Sequence, residues 1–155
     1  MRVLLVEDDE NKRHQVARTV QSAASEVTVQ EAKSLRSGLR FLETEQWDLI
    51  ILDMSIPAFD ITRDETGGRP QALGGRDLLR HMRRLKISSP VVVLTQYDEF
   101  GEGQRAMSLD ELNELLGREH GSAYLGAIVY NVVYDQWRTA LAGSMGVRPE
   151  TRSTP

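Results

Sequence analysis

Residues 48–57, DLIILDMSIP, decide how the rest of the chain is read. Leu49 to Leu52 is a continuous apolar run, the pattern of a parallel strand buried on both faces. A carboxylate, Asp53, ends the run, and Pro57 follows four residues later. Working outward, the same grammar recurs. Val3 to Val6 is apolar and runs straight into the acids Glu7, Asp8, Asp9 and Glu10. Val91 to Leu94 is apolar, opens after Pro90 and ends on Thr95. Glu26 to Gln30 alternates with β-branched residues and reads as another strand, and YLGAIVY (124–130) reads as the fifth.

Amphipathic stretches separate these runs. Residues 10–24 carry Val16, Ala17, Val20 and Ala23 at helical spacing. Ser34 is placed to cap a helix bearing Leu35, Leu39 and Leu42. Residues 76–85 carry Leu78, Leu79, Met82 and Leu85. Ser108 with Glu111 three residues on forms a capping-box pattern before Leu109, Leu112, Leu115 and Leu116. Residues 133–142 make a last helix, with Val133, Trp137 and Leu141 on one side. Five strands alternating with five helices predict an α/β fold, a doubly wound parallel sheet with helices on both faces. Residues 54–74 and 96–107 read as loops, the first unusually long for a compact domain.

Composition sets the outer limits. The chain has 155 residues, 40% hydrophobic and 27% charged, with a formal net charge of −4. That charge argues against a DNA-binding role, which favours a basic face. There is no cysteine, so neither a disulfide framework nor a thiolate metal site is available. No apolar run approaches the ~20 residues of a membrane span. These features predict a cytoplasmic protein with one domain over residues 1–145 and a polar tail over 146–155.

Ligands of such sheets bind beyond the carboxyl ends of the strands. With the first, third and fourth strands as central neighbours, that edge collects Glu7, Asp8, Asp9, Asp53 and Thr95. Carboxylates crowded together repel one another unless a cation sits among them. An all-oxygen set suits Mg²⁺ or Mn²⁺. A carboxylate beside that cation is placed to attack an activated phosphoryl group, and a Thr95 hydroxyl to donate to the product.

VLLVEDD, DLIILDMSIP and PVVVLT together resemble the response-regulator receiver family, over residues 1–57 and 75–95. The resemblance implies the flavodoxin-like strand order 2-1-3-4-5. It implies Glu7 and Asp8 as the acidic pair, Asp53 as phosphoacceptor, a metal contact from the backbone carbonyl of Ser55, and Thr95 as the switch hydroxyl. It also implies a histidine kinase or other phosphodonor upstream and an unidentified downstream protein that reads the face of the fourth and fifth helices and fifth strand.

Three features depart from the family. Its strand-five lysine is missing, since no lysine follows Lys86. The position falls on Ala127 in one register and on Tyr130 or Asn131 in another, the second being favoured because the next helix then starts without a gap. Gln96 follows Thr95 where the family has a small residue. The loop after Pro57 is longer than the family's, and its Arg63 or Arg69 is a candidate substitute cation.

The function expected is a stand-alone receiver in a phosphorelay, not an enzyme beyond autophosphorylation from a donor and slow autodephosphorylation. The alternative is a degenerate receiver that binds partners without phosphate. A phosphohydrolase is disfavoured, because Ser55 stands where such enzymes commonly carry a second acid. His14, His81 and His120 lack metal-site spacing and are expected at the surface. Trp137 and Tyr134 are expected to pack.

Overall fold

The computed structural model describes residues 1–60, 74–100 and 106–146. Seven strands and five helices are present among them: β1 (Arg2–Val6), α1 (Glu10–Ala23), β2 (Thr28–Ala32), α2 (Leu35–Thr44), β3 (Leu49–Leu52), α3 (Gly74–Arg84), β4 (Val91–Thr95), β5 (Glu99–Phe100), β6 (Met107–Ser108), α4 (Leu109–His120), β7 (Tyr124–Val129) and α5 (Gln136–Met145). Five of the strands form one parallel sheet in the order β2-β1-β3-β4-β7. This is the expected doubly wound topology. The second predicted loop contains an addition, a short antiparallel ribbon that pairs β5 with β6.

The continuous apolar runs are explained by burial on both faces. Successive side chains of a strand point to opposite sides, so each central strand feeds two cores. Leu4, Val6, Ile50, Leu52, Val91 and Val93 pack with Leu78 and Met82 of α3 and Leu112 and Leu116 of α4. Val3, Leu5, Leu49, Ile51, Val92 and Leu94 pack with Val16 and Val20 of α1 and Trp137 and Leu141 of α5.

Element ends follow local chemistry. Asp9 caps α1 by accepting from the Lys12 N–H at 2.9 Å. Ser34 and Ser37 form a reciprocal capping box on α2. The Ser108 hydroxyl accepts from the Glu111 N–H at 3.1 Å, as its spacing predicted.

Three expectations need correcting. The second strand starts at Thr28, not Glu26, because Glu26 adopts a positive φ of 55° and pairing with β1 puts Thr28 opposite Arg2. The last helix begins at Gln136, so Val133 and Tyr134 lie before it and are exposed rather than packed. His120 is not a surface histidine: its side chain retains only 7% exposure at the end of α4.

Arg63 and Arg69 lie outside the described residues, as does the tail beyond Gly146. No helix among the described residues is long and apolar enough to cross a membrane.

Candidate functional site

Three stretches of chain meet at the carboxyl edge of the sheet. The Asp53 N–H donates to the Val6 carbonyl at 3.1 Å, and the Glu7 N–H donates to the Ala32 carbonyl at 2.9 Å. Sheet pairing therefore continues one residue past β1 and β3, and it sets Glu7 and Asp53 side by side. Their side chains are almost fully buried, and Asp8 is half-buried beside them. One carboxylate oxygen from each of Glu7, Asp8 and Asp53 lies within 4.8 Å of the others.

The turn bearing these acids is fixed from below. Arg13 donates to the carbonyls of Glu7 and Asp8, both at 3.3 Å, and pairs with Glu31 at 2.9 Å. The Asp9 N–H donates to Glu7 Oε2 at 3.0 Å. On the β3 side, the segment after Asp53 is pressed against the start of α3. The Gly75 N–H donates to the Met54 carbonyl at 2.9 Å. A Cβ on Gly75 would lie 2.5 Å from the Asp53 carbonyl oxygen, so only glycine permits this approach.

Thr95 is fully buried at the end of β4, beside β3. Its hydroxyl accepts from the Tyr97 N–H at 3.2 Å, and its carbonyl accepts from the Tyr130 N–H at 2.8 Å. Ser55 is half-buried two residues past Asp53. Gln96 is exposed and donates to the Tyr97 hydroxyl at 3.3 Å.

One site residue escaped the sequence reading. Lys12, in the first turn of α1, reaches back over the end of β1, the direction in which helical side chains tilt. Its ammonium lies 2.6 Å from Glu7 Oε1 and 3.6 Å from Asp53 Oδ2, and it donates to the Leu94 carbonyl at 2.7 Å. It is as buried as the acids it pairs with. A signal was present in the sequence: Lys12 precedes Val16 by four residues and Val20 by eight, so it falls on the buried stripe of α1.

Burial dominates the electrostatics. It pushes the Glu7 carboxyl up to about 8, with Lys12 opposing and Asp53 reinforcing the shift. Burial likewise raises Asp53, against the pull of Lys12 and of the Ser55 backbone N–H, and raises Asp8. Within this buried cluster Glu7 Oε1 meets the Lys12 ammonium, whereas Asp53 Oδ1 has no hydrogen-bond partner. A buried carboxylate oxygen without a donor, with two further carboxylates beside it, fits a hard divalent cation, which prefers oxygen ligands.

The family model of the response regulator receiver domain matches residues 3–116. The chain is 26% identical to the protein y4jR of Sinorhizobium fredii over 143 residues, covering 91% of this chain and 94% of that protein. It is 21% identical to the Detocs response regulatory protein DtcB of Enterobacter cloacae, again over 143 residues, covering 91% and 95% of the two. Among solved structures it resembles the response regulator TrrA of Thermotoga maritima in complex with Mg²⁺-BeF, with a TM-score of 0.59 at 17% identity and coverage of 92% and 97%. The Mn²⁺-bound response regulator Rcp1 gives a TM-score of 0.61 at 17% identity, with coverage of 92% and 89%. At such identities the structural likeness speaks for the fold alone.

Proposed function

This chain belongs to the response regulator receiver domain family of two-component signalling, and on that footing we propose that it accepts a phosphoryl group on Asp53. The observation that carries the reading is the convergence of the Glu7, Asp8 and Asp53 oxygens, with Asp53 Oδ1 buried and without a hydrogen-bond partner. These three carboxylates and the Ser55 carbonyl would hold Mg²⁺ or Mn²⁺. When bound, the cation supplies neutralising charge for the incoming phosphoryl oxygens.

The chain's own residues do the rest. An Asp53 oxygen forms the new bond to phosphorus, and the bond from phosphorus to the leaving group breaks, the electron pair departing with that group. Thr95, at the end of the neighbouring strand, turns its hydroxyl from the Tyr97 N–H toward the new phosphoryl oxygens. A histidine kinase or another phosphodonor supplies the group. Residues 1–145 act as one domain in a cytoplasmic setting. A downstream protein reads the face of α4, β7 and α5, where Val129, Val132, Val133 and Tyr134 stand exposed.

A second reading is a phosphate-independent interaction module. The Lys12 ammonium favours it, since it already neutralises part of the acidic cluster. A titration with beryllofluoride in saturating Mg²⁺ separates the two. Saturable binding by the wild type, lost in Asp53→Asn, is expected of a phosphoacceptor. A folded wild type that does not bind would leave the interaction module standing.

A further inference from the structure

We infer that Lys12 is the phosphoryl-binding cation of this site, delivered from the first turn of α1 rather than from the end of a strand. The inference rests on phosphoryl acceptance at Asp53. Its ammonium is the only lysine or arginine group within 4 Å of an Asp53 carboxylate oxygen among the described residues. It is held there from three sides: by Glu7, by the Leu94 carbonyl one residue before Thr95, and by the face of the Tyr130 ring, whose centroid is 5.5 Å away. Tyr130 itself is the first residue past β7, with its N–H on the Thr95 carbonyl. An aromatic ring thus stands at that strand end, and the charge beside it comes from the first turn of α1.

The geometry gives Lys12 two opposed effects. Paired with Glu7 and Asp53, its positive charge works against a divalent cation binding to the same oxygens. Once a phosphoryl group is on Asp53, the same ammonium lies within reach of oxygens that carry more charge than the carboxylate they replace, and a charge-assisted hydrogen bond forms. Its movement toward them would be felt by Tyr130, which packs on Trp137 of α5 at 4.8 Å between ring centroids.

A role confined to structural support would not separate these effects. The test is calorimetric titration of wild type, Lys12→Met and Lys12→Gln, first with Mg²⁺ alone and then with beryllofluoride at saturating Mg²⁺. Lys12→Gln keeps a donor for Leu94 without the charge, and thermal melts in Mg²⁺ check that each variant folds. The expected result is Mg²⁺ affinity about tenfold tighter or more in both variants, with beryllofluoride affinity weaker by about 10- to 150-fold. Unchanged beryllofluoride affinity in a folded variant would overturn the inference while leaving Asp53 as acceptor. Parallel weakening of both ligands, or failure of both variants to fold in Mg²⁺, would make Lys12 a structural counter-ion and also overturn it. Failure of the wild type to bind beryllofluoride would instead remove the phosphoacceptor reading on which the inference stands.

Discussion

Glu7, Asp8 and Asp53 place three carboxylates around a space with one ammonium beside it. The ammonium answers part of the repulsion, while burial and the Asp53 charge raise the Glu7 carboxyl. Asp8 is the most accessible of the three, and the ion pairs of Lys12 within 4 Å are with Glu7 and Asp53. Its removal should therefore leave the apo fold intact and disable cation binding. Wild type should melt higher in Mg²⁺, by about 2.7 kcal/mol of added stability at a hundred times Kd. Asp8→Ala should lose that increment while keeping its metal-free melting temperature, as read by differential scanning calorimetry. The acids were legible in the sequence because each ends an apolar run. Lys12 was not, because a lysine in a helix is ordinarily solvent-facing, and only the buried stripe through Val16 and Val20 reveals where it points.

At the scale of the elements, the site depends on how α3 meets β3. Gly74 and Gly75 open α3 directly against Ile56 and Asp53, closer than any side chain allows. The Gly75→Ala methyl would meet the Asp53 carbonyl oxygen at 2.5 Å, and one residue earlier the same substitution would meet the Ile56 carbonyl oxygen at 2.6 Å. Gly75→Ala is expected to destabilise the protein by about 1–3 kcal/mol, a cost of overpacking. Urea unfolding would check it, and an unchanged midpoint would show that the two elements part easily. That β1, β3 and β4 are strands buried on both faces was readable from their continuous apolar runs, whereas their order in the sheet followed from the resemblance to the receiver family. The start of α5 was misread because Val133 and Tyr134 look like packing residues, yet the chain leaves them exposed. The β5–β6 ribbon was missed because two-residue strands carry no periodicity.

The described residues form a parallel sheet with the acidic cluster at one edge and a helical layer on each face. The layer of α1 and α5 is joined to the pocket through Lys12, Tyr130 and Trp137. The layer of α2, α3 and α4 is joined through the segment after Asp53, where the Leu35 N–H donates to the Pro57 carbonyl and the Gly75 N–H to the Met54 carbonyl, both at 2.9 Å. A phosphoryl group at Asp53 would thus be sensed by both layers, which suits a domain that signals through its surface. The most direct test is exposure of the protein to a small phosphodonor such as acetyl phosphate, with and without Mg²⁺, read by intact mass and peptide mapping. One phosphoryl group per chain, mapped to Asp53, dependent on Mg²⁺ and absent from Asp53→Ala, is the predicted result. A folded wild type that gains no mass in saturating Mg²⁺, or an Asp53→Ala variant that gains as much as wild type, would contradict it.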